Sequence, residues 1–428
     1  MIIRYALVCL MTAATVHGQS SYFPSRTDSS WARVSIEELG WSREHIDSLV
    51  SYARNTLSNS VIVLVDGRIA LEWYADGRNA SSVWYWASAG KTVTAALVGA
   101  MLQEGKLSLS DPVSKFLGPG WTSLTKEQED RITIWHQITM TTGLDDGVAD
   151  RDCTKPECLV YKADPGKRWA YHNAPYTILD RVIEAASGET FQAVLRRTLL
   201  EKTGMTGRFI AMGDNNVMTS NPRSMARFGL LALRDFVWDG TPVLTDTAFV
   251  NALTRPSQQL NPSYGYLWWL NGQAKYRVPY LQIDFPGPIM PDAPPDAFNA
   301  LGKNNQIISV SPSMNIVMVR TGDNPDSLIP GQDVAWTQAN TMWKILRSAM
   351  RPTSVTTADS HVRVSGNTVI ADAIIDQCIV TSITGEQVVV EGGGDRALVL
   401  PRLAPGAYML RIHTGGHYVY RTWVHTPE

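Results

Sequence analysis

Ser88-Ala89-Gly90-Lys91 places a hydroxyl and an amine three residues apart, at the start of a segment with helical spacing. On a helix such positions share a face, so the lysine reaches the serine Oγ. The positive end of the helix dipole favours the serine as it ionises. Trp84-Tyr85-Trp86 precedes the pair. A lysine buried among aromatics has its charged form disfavoured and can serve as the base a serine needs. Ser-x-x-Lys alone is a weak signal, and Ser123-Leu-Thr-Lys126 repeats the spacing. That copy lies in the charged run Lys126–Arg131, a solvated surface with nothing to desolvate the amine.

Tyr171-His172-Asn173 is the sole Tyr-x-Asn of the sequence and follows the turn residues Asp164-Pro165-Gly166. Alternation on an extended segment puts Tyr171 and Asn173 on one side and His172 on the other. A phenol near a lysine, partly phenolate, can relay protons to a leaving group. The Asn173 amide is expected to bond both Lys91 and a substrate carbonyl. Used structurally, the same pair would simply satisfy a loop.

The elements that must carry these residues read as a mixed α/β unit. A helix with Ile46, Leu49, Val50 and Ala53 on one face follows Gly40-Trp41-Ser42. Val61, Val63 and Val65, the turn Asp66-Gly67, and Ile69 to Trp73 form a hairpin. Helical spacing runs over 88–104, and Gly105 stops it. A mostly helical stretch extends to about 250. Strand character returns at Gly265 to Leu270, at Gln306 to Val310 and at Ile316 to Arg320, with a closing helix from Gln332 to Met350. Strands at both ends around a helical insert imply one α/β domain over 19–350. After a Thr/Ser-rich linker, 351–369, short strands separated by glycine-rich turns give a small all-β, sandwich-like domain, 370–428. Its strands are Cys378 to Ile383, Gln387 to Val390, Leu398 to Leu400, Tyr408 to Ile412 and Tyr418 to Val424.

The 428 residues, 44% hydrophobic and 18% charged, can build a substantial core. A net charge of −2 argues against a nucleic-acid binder. No apolar run after the first twenty residues could span a bilayer. Residues 1–18 read as a signal peptide: Arg4 is the charged start, Ala6 to Val16 the apolar stretch, and Val16-His17-Gly18 the cleavage region. Cys9 lacks the small preceding residue of a lipoprotein signal, so no lipid anchor is expected. The chain is thus expected to be exported, to the cell surface or medium by way of the periplasm. In an oxidising compartment Cys153 and Cys158 could close a loop across Pro156. The rival zinc site lacks further ligands at the right spacing. Cys378, in an apolar run, reads as a core residue. Neither Gly-x-Ser-x-Gly nor His-Glu-x-x-His occurs, which sets aside a nucleophile-elbow hydrolase and a zinc hydrolase. No cofactor or metal is expected.

In order, Ser88-x-x-Lys91, Thr139-Met-Thr-Thr-Gly143-Leu144, Pro165-Gly166 and Tyr171-His-Asn173 resemble the penicillin-recognising, beta-lactamase-related serine hydrolases. That group includes class C beta-lactamases, DD-carboxypeptidases, family VIII esterases and 6-aminohexanoate-dimer hydrolases. Gly204-Met205 and Ser224-Met-Ala-Arg227-Phe228-Gly229 also resemble its recurring segments. The resemblance spans about 35–350. It implies an acyl-enzyme at Ser88, Lys91 as base, Tyr171 as proton relay and Asn173 as a positioning residue. The family's third motif, Lys-Thr-Gly or His-x-Gly, is altered. With Gly302 of Ala300-Leu301-Gly302-Lys303 at the motif glycine, Ala300 stands where a basic residue belongs. The alternative register puts Lys303 at the motif lysine and Asn305 at the glycine. The first is preferred because a glycine lets the strand approach the nucleophile closely. The Lys303 backbone N–H would then join that of Ser88 in an oxyanion hole, with its side chain a weaker substrate contact.

Loss of the basic residue shifts the expected substrate from beta-lactams or DD-peptides towards esters and small amides. Trp84, Trp86, Trp169, Trp268 and Trp269 are expected either to wall an apolar pocket or to be core. A catalytically inactive binding or sensor domain is the rival function, disfavoured by the intact Ser88, Lys91 and Tyr171. The C-terminal segments Ile383-Thr384-Gly385-Glu386 and Leu403 to Ile412, with the terminal strand Tyr418 to Val424, resemble the type IX secretion sorting domain. That implies a secretion machinery as partner; the alternative is a passive adhesion or carbohydrate-binding module.

Overall fold

The computed structural model describes residues 22–324, 335–350, 362–365, 367–382, 387–414 and 417–425. The proposed signal segment, Gln332 to 334, residues 351–361 and the Ile383 to Glu386 phrase lie outside these. The chain divides into two compact units, Met1–Ser35 with Asp47–Ile345, and Ile36–Ile46 with Leu346–Glu428.

The larger unit is built on a six-stranded antiparallel sheet. Its order is Arg68–Tyr74, Ser58–Val65, Ile316–Gly322, Gln306–Ser311, Phe298–Gly302 and Trp269–Leu270. The strand Ser58–Val65 pairs with one more than 250 positions away, Val61 opposite Arg320. This is the expected closure of the two chain ends around a helical insert. Central strands are β-branched and buried along nearly every residue, as a sheet covered on both faces requires. The helix Pro222–Leu233 covers one face at very close range. A Cβ on Gly229 would stand 2.4 Å from Val317 Cγ1 and 2.9 Å from Ile308 Cγ2. That helix begins with an Asn221 cap on Ser224 N and proline in its first turn. The helix Trp336–Met350 is tied to the sheet by Trp343, whose indole donates to Ser309 Oγ at 2.7 Å.

Two local expectations are corrected. Of Gly265 to Leu270 only Trp269–Leu270 is strand, because Leu267 turns into left-handed backbone. Arg208–Met212 and Asn215–Ser220, inside the stretch read as helical, pair with each other, and Asn215–Ser220 also pairs with Trp84–Tyr85, giving a separate three-stranded sheet. Trp86, Trp169, Trp268 and Trp269 are buried in the core, one of the two roles the sequence left open to them. Trp86 donates to Ser220 Oγ, and Trp268 stacks on Phe228.

The smaller unit holds two antiparallel sheets. One is Val362–Ser365, Thr368–Ala371 and Ala397–Val399. The other is Gln387–Glu391, Ile375–Ser382, Gly406–Thr414 and His417–His425. Val362–Ser365 and the first half of Thr368–Ala371 lie where the sequence reads as linker, ahead of the first strand expected there. Val369, Ile375, Val380, Leu410, Ile412 and Trp423 form their core. Cys378 is buried among them, its thiol pushed up to about 11 by desolvation, as befits an inert core cysteine.

Candidate active site

Ser88 sits on a short 3-10 turn, Ala87–Gly90, wedged between the strand Trp84–Tyr85 and the helix Lys91–Gln103. The strand fixes the entry: Trp84 and Tyr85 pair with Ser220 and Thr219, and Trp86 N donates to Met218 O. Ala87 then takes φ +47°, a conformation non-glycine residues rarely adopt. Such strain concentrates at functional sites and is sustained by the packing around it.

The helix that follows is apolar and buried almost throughout, from Lys91 to Met101. Its first residue is therefore carried into the interior, where Lys91 is 2% exposed. Lys91 Nζ donates to Ser88 Oγ at 3.0 Å and lies over the rings of Tyr176 (4.4 Å) and Tyr171 (5.1 Å). Burial pulls the ammonium down to about 7, against the field of Asp152, which works the other way. Near neutrality Lys91 therefore has a substantial free-base fraction. The decoy Lys126 is paired instead with Asp130 on the exposed face.

Tyr171 is buried, stacked on Trp269 at 5.6 Å and meeting Tyr264 edge-on. Burial pushes its phenol well above the ordinary value, and the side-chain hydrogen bond with Ser88 only partly offsets this. The partial phenolate expected from sequence is thus corrected: Tyr171 is a neutral hydroxyl facing Ser88. His172 is buried, its imidazole pulled down to about 4 by burial, so it is neutral near pH 7.

Asn173 opens the helix Asn173–Thr177, and its amide is turned away from the expected partner. Nδ2 donates to Asp152 Oδ1 at 2.7 Å, while Oδ1 is buried with no hydrogen-bond partner. No bond from Lys91 to Asn173 occurs among the described residues. Asp152 is the site residue that sequence reasoning missed. It directly precedes Cys153, whose disulfide with Cys158 closes the expected loop.

On the other side stands the strand Phe298–Gly302. A Cβ on Gly302 would lie 2.3 Å from the Trp86 carbonyl oxygen, 3.0 Å from Ala89 N and 3.1 Å from Ala87 Cβ. Only a glycine permits this approach. Ala300 is buried in the sheet and presents no charge. Lys303 begins a turn whose Asn304 and Asn305 are left-handed, and its side chain is exposed. The turn is held from beneath. Arg320, fully buried, donates to the carbonyls of Asn304 and Asn305, and Gln306 donates to those of Lys303, Asn304 and Gly322. Asn304 donates to Tyr85 Oη at 2.7 Å, linking the turn to the strand that leads to Ser88.

These residues line a cavity of about 290 Å³. Ser88, Lys91, Tyr171, Asn173, Gly302 and Lys303 all border it, so the structure brings every sequence-selected site residue together. Tyr85, Asp152, Tyr176, Asn215, Asn216 and Tyr280 complete much of the wall. Asn215 and Asn216 come from the strand pair hidden in the helical stretch.

An antiparallel sheet with a buried lysine bonded to a serine at a strained strand-to-helix turn defines a beta-lactamase-like serine hydrolase. The chain belongs to the Beta-lactamase family, whose model matches residues 43–323. An uncharacterized protein of Alkalihalophilus pseudofirmus is 22% identical over 300 residues, covering 61% of this chain and 82% of that protein. Among solved structures, a candidate beta-lactamase of Bacteroides dorei aligns with TM-score 0.59 at 15% identity, over 72% of this chain and 99% of that one. A candidate 6-aminohexanoate-dimer hydrolase from Bacillus anthracis gives TM-score 0.55 at 16% identity, over 75% and 87%. At such identities the structural likeness speaks for the fold alone.

Proposed function

We propose that this protein is an exported hydrolase that forms an acyl-enzyme at Ser88 on ester or small amide substrates. The observation that carries the reading is the 3.0 Å contact between Ser88 Oγ and a lysine whose burial lowers its pKa to about 7. Neutral Lys91 takes the Ser88 proton as Oγ attacks the acyl carbon. The charge that develops on the carbonyl oxygen is met by the backbone N–H groups of Ser88 and Lys303. Tyr171, a neutral hydroxyl beside Ser88, hands a proton to the leaving group and regains one from Lys91. Water then repeats the attack on the acyl-enzyme. Ala300, uncharged and buried, supports esters and small amides over substrates anchored by a carboxylate.

A fluorophosphonate probe should add to the peptide carrying Ser88 in the wild type and not in Ser88→Ala, read by mass spectrometry. An unmodified wild type would overturn the reading. Hydrolysis of p-nitrophenyl butyrate should exceed that of nitrocefin; the reverse would return the substrate to the beta-lactams.

Export is proposed on residues 1–18 and on the resemblance of the C-terminal strands to a type IX sorting domain. Fractionated cells should hold the mature protein outside the outer membrane, lacking 1–18. Recovery only from the periplasm, with the C-terminal unit intact, would count against sorting.

A further inference from the structure

We infer that the Cys153–Cys158 disulfide is a positioning element of the active site, tying to the body of the domain a short strap that braces three walls of the Ser88 cavity. The inference rests on the acyl-enzyme reading and adds a covalent control to it. Residues 148–155 form neither helix nor strand, and a segment with few backbone bonds of its own opens locally unless it is tied down. Cys153 is buried in the strap, and the residues on either side of it reach different walls. Asp152 Oδ1 accepts from Asn173 Nδ2 at 2.7 Å. Arg151 lies over the Tyr280 ring at 3.9 Å, and its carbonyl accepts from Ala174 N in the helix that Asn173 opens. Thr154 N donates to Asp214 Oδ2 at 3.4 Å, in the turn that joins Met212 to Asn215. Asn173, Tyr280, Met212 and Asn215 all line the cavity, as Asp152 does itself.

The other end of the crosslink is anchored. Cys158 ends the 3-10 turn Pro156–Cys158, and the fully buried Leu159 follows. The Leu159 carbonyl accepts from Ser123 N and Oγ, and the Val160 carbonyl from Asp145 N at 2.8 Å. The disulfide carries this anchorage across to Cys153. Without it, the strap is held by the contacts it makes with the walls it braces. Asp152 is where this reaches the chemistry. The groups that face the Lys91 amine are Ser88 Oγ, the rings of Tyr171 and Tyr176 and, at longer range, the Asp152 carboxylate. Of these Asp152 alone is charged, and its field favours the ammonium against the effect of burial. Lys303 borders the cavity from the sheet side. Release of Asp152 removes that field, so Lys91 becomes a free base at lower pH.

The test compares the full mature chain, oxidised, with the same chain reduced by a water-soluble phosphine and with the Cys153→Ser/Cys158→Ser variant. In the reduction the phosphine gives two electrons to the S–S bond, which breaks. Water supplies a proton to each sulfur and the oxygen of the phosphine oxide. Cys378 is a buried thiol in both states. Rates are read well below each melting transition, with the Ser88→Ala rate subtracted. Reduction and the double variant should each lower the plateau kcat/KM for p-nitrophenyl butyrate by about tenfold. Each should also move the acid limb of the pH profile down by about half a pH unit or more. Asp152→Asn, nearly equal in volume and with the disulfide intact, should move the limb the same way, and reducing that variant should move it no further. A crosslink that merely stabilises the fold leaves the limb where it is, so an unmoved limb overturns the proposal. A further shift on reducing Asp152→Asn overturns it too, because the crosslink would then not act through Asp152. Fluorophosphonate labelling of Ser88 in the oxidised wild type continues in either case; its loss would instead remove the acyl-enzyme reading beneath the proposal.

Discussion

Replacing Lys91 with methionine should lower kcat/KM for p-nitrophenyl butyrate by about 10²–10⁴-fold while raising the melting temperature. Both effects follow from one fact: an amine that belongs in water is held in the interior. It donates to Ser88 Oγ, and its flanks are the faces of Tyr171 and Tyr176. Desolvation lowers its pKa from 10.5 to about 7, which is the property a base for Ser88 requires. The folded form thus binds protons less well than the unfolded chain between pH 7 and 10.5. Over that window stability rises with pH, and it declines as pH falls towards 7. Methionine fills similar space with no charge to desolvate, so it removes this penalty and its pH dependence together. The wild-type pH profile checks the same group. Its kcat/KM should climb through about pH 7 and level off above, since activity needs the free amine. A flat profile across that range, or an active Lys91→Met, would exclude Lys91 as the base. Stability gained at the expense of activity is a recurrent signature of functional sites.

The motif residues were legible from sequence because their spacing is local. Ser88 and Lys91 meet through one helical turn, and Tyr171 and Asn173 share one side of a short extended segment. Gly302 was legible for a steric reason that needs no coordinates, the absence of a side chain where two backbones must meet. Three features were not legible, each because it depends on residues distant in sequence. Arg208–Met212 and Asn215–Ser220 are short, and Asn215 and Asn216 are poor strand formers in isolation; pairing with Trp84–Tyr85 makes the sheet. The sequence left the tryptophans near the motifs open between pocket lining and core; four of them, Trp86, Trp169, Trp268 and Trp269, are buried, and tyrosines border the cavity instead. Asp152 gave no motif at all. Its place against Asn173, 21 positions on, follows from the chain path through the Cys153–Cys158 loop. The acidity of Tyr171 was misread for a related reason: proximity to a lysine suggested phenolate, but the desolvation that neutralises the lysine also holds the proton on the phenol.

Gly302→Val should abolish measurable esterase activity and lower the melting temperature by several degrees. Gly302 has φ −135° and ψ 160°, extended backbone that valine readily adopts, so conformational freedom is not what the glycine supplies. The requirement is distance. A Cβ there would be 2.3 Å from the Trp86 carbonyl oxygen and 3.0 Å from Ala89 N, and both are backbone atoms of the turn that carries Ser88. Neither can swing aside as a side-chain tip could. The strand cannot retreat easily either, because its turn is bound by Arg320 and Gln306 and tied to Tyr85 through Asn304. Overpacking of this kind costs about 1–3 kcal/mol in stability. The larger effect falls on the chemistry, since a shift of about 1 Å in reacting groups can cost 10²-fold in rate. The expected pattern is thus a modest loss of stability beside a loss of at least about 10²-fold in the rate of fluorophosphonate labelling. Gly302→Ala should lie between wild type and valine in both measurements. Retention of full labelling in the valine variant would mean that the strand and the nucleophile turn need not approach so closely, and Lys303 N–H would lose its place in the oxyanion hole.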